Sequence, residues 1–381
     1  MKKEILMTTK LYDLNAYQTT FNANVLNCTK YEDKYDIILD QTCFFPEEGG
    51  QTCDLGTLND IEVIDVQIKD QVIHHYTTSP LNGEVTGVID FNHRYFNMQH
   101  HSAEHILSGI IHHYFQGNNV GFHLGNEEIT ADYDRTFTPD EIEDIENKVN
   151  EVIHQNLEIH CWYPDNINEI NYRAKKEIKE AIRIVQIGDI DTCACCAPHV
   201  QRTSEIHLFK IIKTMKFKRG TRFYFICGNK ALKDYQIKFK EAQMISSLLK
   251  APANEIDKAV SRLYEEQIRL KQQLSTFKKA QVDQILSSID KTNHLIYFEE
   301  DMDMNTQKYF VSKLHEFVDD YAAVFVKDKD SYRFILFSHN DATIYLKKLK
   351  EQFIVKGGGK KDAIQGSIQA SKEQILEVLK L

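Results

Sequence analysis

An α+β fold is predicted: an N-terminal small β-barrel, a mixed α/β domain, a helical or coiled-coil linker, and a C-terminal α/β domain. Three observations predict it. Residues 1–95 hold short β-branched runs separated by turn residues, residues 96–235 mix helical and strand-like spacing, and residues 236–290 carry apolar positions at helical and heptad spacing. Residues 291–381 return to alternating strand and helix patterns. At 381 residues the chain is also too long for one ordinary domain.

Within 1–95 the strand-like runs are YDIILD, IEVIDVQI, QVIHHYTT and GEVTGVID, with Asn82-Gly83 among the turns. The stretch Phe44-Phe45-Pro46-Glu47-Glu48-Gly49-Gly50-Gln51 interrupts them. A proline and two glycines beside aromatics make a shaped loop, where backbone can approach a ligand closely. Helical spacing begins near Met98 and runs through Ile106, Leu107 and Ile110. A second helix is announced by Thr138 as cap and Pro139 in the first turn, with Ile142, Ile145, Val149, Val152 and Ile153 on one face. Strand-like runs follow at AIRIVQI, EIHLFKII and RFYFICG. Beyond Pro252, the positions Ile256, Val260, Leu263, Gln267, Leu270, Leu274 and Phe277 alternate by four and three. That spacing fits a dimerising coiled coil or a helical hairpin folded on its own domain. The last segment reads as LIYFEE, AAVFVKD and YRFILFS, a helix near 341–353, a glycine-rich stretch at 356–361 and a C-terminal helix.

The net charge is −10, which argues against a protein that coats nucleic acid without specificity. Residues 241–381 carry 21 Lys/Arg against 21 Asp/Glu, so the whole excess lies in residues 1–240. Inside that acidic part, residues 208–240 hold ten Lys/Arg against Asp234 alone. A local basic stripe suits phosphates bound at a defined place. Eight cysteines without a secretory signal point to a reducing compartment, and no segment approaches the ~20 apolar residues that span a bilayer. A cytoplasmic location is expected.

The chemistry concentrates in two spacings. His101 and His105 stand four apart on a predicted helix, so both imidazoles leave one face a turn apart. Cys195 and His199 are again four apart, within Cys193-Ala-Cys195-Cys196-Ala-Pro198-His199. Three nitrogens and one thiolate suit tetrahedral zinc, and the thiolate disfavours magnesium or calcium. By spacing alone, Cys193 or Cys196 could take the place of Cys195. The run His101-Ser-Ala-Glu104-His105 also fits H-x-x-E-H, a metallopeptidase signature with Glu104 as general base.

Six segments, in order along nearly the whole chain, resemble one family. His101-Ser-Ala-Glu-His105-Ile-Leu and Cys195-Cys-Ala-Pro-His199-Val resemble the two metal-ligand segments of the alanyl-tRNA synthetase editing domain and its freestanding AlaX-type relatives. Thr42-Cys-Phe-Phe-Pro-Glu-Glu-Gly-Gly-Gln51 is similar to the family's T-x-F-[YF]-P-x-x-G-G-Q loop. Arg219-Gly-Thr-Arg222 and Gly228-Asn-Lys-Ala231 resemble its R-G-x-R and G-x-x-A strand. Gly357-Gly358-Gly359-Lys360-Lys361 resembles the glycine-rich end of the synthetase's C-terminal domain, which DHH phosphoesterases share. Ala197 and Pro198 stand where the family usually has glycine and threonine, and Lys360-Lys361 where a proline is common. With no DHH triplet in the sequence, phosphoesterase activity is not expected.

The resemblance implies hydrolysis of the ester that joins a wrong amino acid, chiefly serine and also glycine, to tRNA(Ala). It implies one zinc ion on His101, His105, Cys195 and His199. Thr42 and Gln51 would line the acyl pocket, with Thr42 bonding the serine hydroxyl, while Gly49 and Gly50 let backbone N–H groups approach the ester. Contacts to tRNA are expected from Lys216, Lys218, Arg219 and Arg222, and from Gly357, Gly358, Gly359 and Lys360. The chain is expected to act as a homodimer and without an aminoacylation domain of its own. Two other expectations remain: a non-catalytic tRNA-binding dimer with structural zinc, and the metallopeptidase. With four protein ligands the zinc would be saturated, so either one ligand loosens or the ion shapes the site.

Overall fold

The computed structural model describes residues 8–125, 128–174 and 182–380. The first seven residues, and Ala181 of the AIRIVQI run, lie outside the described residues. The chain divides into two compact units, Met1–Glu241 and Ala242–Leu381. Helix and sheet are mixed in both.

The first unit opens with six strands, β1 (Thr20–Tyr31), β2 (Lys34–Leu39), β3 (Gly56–Leu58), β4 (Ile61–Lys69), β5 (Val72–Thr77) and β6 (Glu84–Ile89). They pair in a closed ring, β1-β2-β5-β4-β3-β6, with β6 returning antiparallel to β1. Alternation puts Val85 and Ile89 inward while Thr86 and Val88 face out. The ring is filled by Phe21, Ile37, Leu39, Phe44, Val63 and Val66. Strand β1, with its polar NANVLNCTK composition, carries no strong apolar alternation and so left little trace in the sequence.

Helix α1 (Phe91–Phe115) starts at Asp90, whose carboxylate accepts the N–H groups of Asn92 and His93 at 3.0 and 3.2 Å. It therefore begins a full two turns before the apolar spacing reveals it. Its first turn mixes Phe91 with polar residues and is held by tertiary contacts such as those of Arg94. Helix α2 (Pro139–His154) has the capping box of Thr138 and Glu141, with Ile145, Val149, Val152 and Ile153 buried. Three sheets complete the unit, one of them the short parallel pair of Thr9–Lys10 with Gln41–Thr42. Strands β7 (Asn119–Leu124) and β8 (Ile129–Tyr133) join β12 (Phe209–Phe217) and β13 (Gly220–Cys227) in the order β12-β13-β8-β7. Strands β9 (Ile159–Trp162), β10 (Ile184–Ile187) and β11 (Asp191–Ala194) form an antiparallel three-stranded sheet. The EIHLFKII run is strand only from Phe209, because Thr203–Ile206 turns as a 3₁₀ helix held by its own Glu205 cap.

Helix α3 (Gly228–Leu249) leads out of the first unit, and α4 (Ile256–Leu286) follows after Pro252. The heptad positions Val260, Leu263, Leu270, Leu274 and Phe277 are exposed in the single chain. The rest of the second unit is a five-stranded sheet flanked by helices. Its order is β14 (Thr292–Glu299), β15 (Val318–Asp328), β16 (Ser331–Ser338), β18 (Ala363–Gln369) and β17 (Ile354–Gly359). The glycine run Gly357–Gly359 is thus the end of an edge strand, antiparallel to Ile364–Gly366.

Inside the strand ring, His75 is fully buried. Burial pushes its pKa down to about 4, the nearby His74 adding to the effect and a bond to the Ile37 carbonyl opposing it. An unfolded histidine titrates near 6.5 and therefore takes the proton first on acidification. Stability is expected in full above pH 6.5 and to fall as pH drops toward 4, by roughly 3 kcal/mol at most from this residue. Urea unfolding at pH 7.5, 5.5 and 4.5 should show that loss, and the slope should flatten in His75→Gln.

Candidate metal centre

Helix α1 runs through the first unit with His101 and His105 on one face, and both are buried. Strand β11 ends at Ala194, and the turn after it brings Cys195 and His199 to the same place. One ligand atom from each of His101, His105, Cys195 and His199 lies within 4.8 Å of every other. The Nε2 atoms of His101 and His199 each stand 3.5 Å from Cys195 Sγ. The three histidines are buried and Cys195 is half-buried as a residue.

The opposite nitrogen of every ring is already held. His101 Nδ1 lies 2.8 Å from Gln51 Oε1, His105 Nδ1 3.0 Å from Asp191 Oδ2, and His199 Nδ1 3.0 Å from Ser102 Oγ. An amide oxygen and a carboxylate can only accept, so His101 and His105 donate from Nδ1 and turn Nε2 lone pairs toward the cluster. Asp191 is itself fixed by Arg173 Nε at 2.8 Å. Such outer partners orient metal-binding imidazoles and raise their basicity. Gly109 makes the Asp191 contact possible: a Cβ there would stand 2.4 Å from the Ile190 carbonyl oxygen. If the group holds a metal ion, Asp191→Asn is expected to weaken its binding about 10- to 100-fold, measured by competition with a chromogenic chelator.

The electrostatics agree with this donor set. Burial opposes ionisation of Cys195, yet the imidazoles around it hold its thiol well below the ordinary range. Burial drives His199 down to about 3, and so keeps it neutral. His105 behaves differently: burial lowers it, but the Asp191 and Cys195 contacts outweigh that and raise it to about 9. A buried proton there balances two anions, the role a divalent cation would take. Cys193 lies near His105 and Asp191, outside the four-residue group, and burial pushes its thiol up to about 12. Burial also raises the Cys196 thiol, beside Glu48. Of the three cysteines, Cys195 is the one placed with His101, His105 and His199. Glu104 is not in the group; its carboxylate accepts from Ser108 and Asn119.

The loop between Thr42 and Gln51 reaches the cluster through Gln51. It is stitched to β7 by a bond from Leu124 N to Gly50 O at 2.7 Å and a parallel bridge between Gln51 and Leu124. Gly50 has φ +86°, and a Cβ there would meet the Phe122 carbonyl oxygen at 2.4 Å. Only glycine fits that approach. Among the described residues no partner is found for the Gly49 and Gly50 N–H groups, and Gln51 Nε2 is a buried donor without one. Thr42 is buried, with Oγ1 2.9 Å from His75 Nε2 and accepting from Phe44 N at 3.0 Å. The loop's far end is clamped by Arg94 of α1. Its guanidinium pairs with buried Asp54 through Nε at 2.8 Å and through NH2, and donates to the Ala16 and Cys43 carbonyls at 2.8 and 2.6 Å.

The cations of the basic stripe are divided in use. Lys216, Lys218 and Arg219 are exposed around the β12–β13 turn. Arg222 instead forms a bidentate pair with Asp132 at 2.6 and 2.7 Å and lies 4.0 Å over the Phe217 ring. In the second unit Gly357, Gly358, Gly359 and Lys360 are exposed and border an open hollow of about 970 Å³, together with Arg333 and Asp328. Asp191, Ser102, Arg94 and His75 are the site residues that sequence reasoning missed. Only Ser102, inside the histidine motif, carried any local signal.

The profile of the "Threonyl and Alanyl tRNA synthetase second additional domain" matches residues 182–224, the stretch that holds Cys195 and His199. The chain is similar to the alanyl-tRNA editing protein AlaX-L of Pyrococcus horikoshii, 26% identical over 98% of this chain and 97% of that one. It is 29% identical to the alanine–tRNA ligase of Methanococcus vannielii, over 97% of this chain and 43% of that protein. The alanyl-tRNA editing protein Aarsd1 of Bos taurus is 28% identical over 65% of this chain and 61% of its own length. The chain thus spans less than half of the ligase but nearly all of AlaX-L. A crystal structure of RecJ from Thermus thermophilus gives a TM-score of 0.23 at 17% identity, over 34% of this chain and 20% of that one, too slight a likeness to carry an argument. Similarity thus runs along almost the whole chain, with the second additional domain at the ligand turn, and what this chain is similar to throughout are alanyl-tRNA editing proteins and alanine–tRNA ligases.

Proposed function

We propose that the protein is a zinc-dependent editing hydrolase that deacylates mischarged tRNA(Ala), chiefly Ser-tRNA(Ala) and also Gly-tRNA(Ala). The observation that carries it is the convergence of three imidazoles and one low-pKa thiol within 4.8 Å, with Gln51 of the Thr42–Gln51 loop bonded to one of them. The donor set fits one zinc ion on His101, His105, Cys195 and His199. Zinc bound there supplies Lewis-acid charge or a rigid template for the ester.

The chain's own groups supply the rest. Thr42 offers its hydroxyl oxygen to the acyl side chain. Gln51 presents an unpaired amide N–H, and a buried donor left unmade costs about 1–3 kcal/mol until a substrate oxygen fills it. The exposed N–H groups of Gly49 and Gly50 stand ready for the ester carbonyl. An editing site is needed because a pocket cannot strongly reject a near-isostere of alanine at the charging step. We assign tRNA contacts to Lys216, Lys218 and Arg219, and to Gly357, Gly358, Gly359 and Lys360. Arg222 serves that surface indirectly, by holding the turn through Asp132. The exposed heptad face of α4 is offered as the contact of a homodimer. Among the described residues no helix is long and apolar enough to cross a membrane.

The test is release of amino acid from Ser-tRNA(Ala) and Ala-tRNA(Ala) by zinc-loaded and chelator-treated protein. Loss of serine with alanine retained, only in the loaded form, is the expected result. Intact Ser-tRNA(Ala) beside fully loaded protein would sink the reading in favour of a tRNA-binding module.

A further inference from the structure

His75 does more than fill the ring of strands. Its Nδ1 lies 3.1 Å from the Ile37 carbonyl oxygen, which can only accept, so this nitrogen carries the proton. Its Nε2 lies 2.9 Å from Thr42 Oγ1 and in the neutral ring is a bare lone pair. The hydroxyl hydrogen of Thr42 must therefore point at His75. Phe44 N donates to the same oxygen at 3.0 Å, which takes one of its two lone pairs. One lone pair and no hydrogen remain to meet a ligand. The ring has little freedom to turn, since Phe44 packs edge-on against it with centroids 5.6 Å apart. Burial also keeps it neutral, well below the ordinary histidine range.

We propose that His75 is a positioning residue that fixes the Thr42 hydroxyl as an acceptor, so that the site selects acyl groups carrying a hydrogen-bond donor on the β-carbon. This rests on the reading that Thr42 meets the acyl side chain, and it adds the direction of that bond. A serine hydroxyl donates well and a cysteine thiol donates weakly. Alanine and glycine have nothing to donate, so Thr42 alone would not hold them.

The test uses the zinc-loaded full chain and measures kcat/KM for Ser-tRNA(Ala) and Gly-tRNA(Ala), with zinc content and circular dichroism recorded for each variant. His75→Phe keeps the ring and removes the acceptor; the serine-to-glycine ratio is expected to fall about tenfold, the worth of one hydrogen bond. His75→Gln places an acceptor oxygen near the Nε2 position and should restore the ratio to within about threefold of the parent. A purely structural role would not distinguish these two. Thr42→Val separates the two claims. If it lowers the ratio while His75→Phe does not, the inference about His75 falls and the Thr42 reading stands. If Thr42→Val leaves the ratio unchanged, or the parent hydrolyses neither substrate, both fall. Should His75→Phe fail to fold, ¹⁵N-detected tautomer analysis of the parent decides alone. Protonated Nδ1 with bare Nε2 at pH 7 is expected, and an Nε2–H tautomer overturns the proposal.

Discussion

Cys195→Ala is expected to weaken zinc binding more than about 100-fold and to lower hydrolysis of Ser-tRNA(Ala) by at least the same factor. Loss of an outer partner alone costs about 10- to 100-fold, and Cys195 is the one anion among the four ligands. Without it three imidazoles remain, two of which face the sulfur at 3.5 Å in the present arrangement. Three neutral nitrogens can still collect zinc weakly, so the measurement is a chelator competition followed by deacylation at fixed free zinc. Cys193→Ala is the control. Its thiol stays protonated and outside the four-residue group, so zinc should be retained and activity should change little. Equal losses in both variants would mean that the ligand turn had collapsed, and the assignment of Cys195 would go with it.

Arg94→Met should cost the first unit about 3–5 kcal/mol of stability. The reason is the carboxylate it leaves behind: Asp54 is fully buried, and its ion pair with Arg94 lies away from solvent. Breaking such a pair by removing one partner strands a buried charge. The bonds to the Ala16 and Cys43 carbonyls go as well, freeing one part-buried and one buried acceptor. Urea unfolding followed by Trp162, the sole tryptophan and a residue of the first unit, reads the loss directly. Replacing both partners, Arg94→Met with Asp54→Leu, should recover much of it, because the uncompensated charge is then gone. A single-variant loss below about 1 kcal/mol would show that water reaches Asp54 and that the clamp is not closed.

Both predictions turn on the way two distant segments are held together, and there the sequence and the structure divide the information. The spacings His101/His105 and Cys195/His199 were legible because a helix and a tight turn are local, and local geometry repeats at fixed intervals. The cap at Thr138 and the break at Pro252 were legible for the same reason. The start of α1 was not, because it is fixed by the cap at Asp90 and by the contacts of Arg94, which lie outside any local apolar spacing. Strand β1 was missed since no residue beyond Ala23 is fully buried on either face, so no apolar alternation marks it. The choice among Cys193, Cys195 and Cys196 could not be made from spacing. Adjacent residues on a chain differ in direction, and direction is set by the antiparallel pairing of β10 with β11.

Residue identity and short-range periodicity were enough for the α+β character, for the four side chains that cluster, and for the family resemblance. How each of those side chains is held was decided by the folded chain. Asp191, Ser102 and Gln51 come from 86, 97 and 50 positions away to hold the three imidazoles. Arg94 ties the Thr42–Gln51 loop to the metal helix, Arg222 is withdrawn from the basic surface into a pair with Asp132, and His75 sets the direction of the Thr42 hydroxyl. A hydrogen bond needs a partner within ~3 Å at a defined angle, and for residues this far apart in sequence folding alone supplies it.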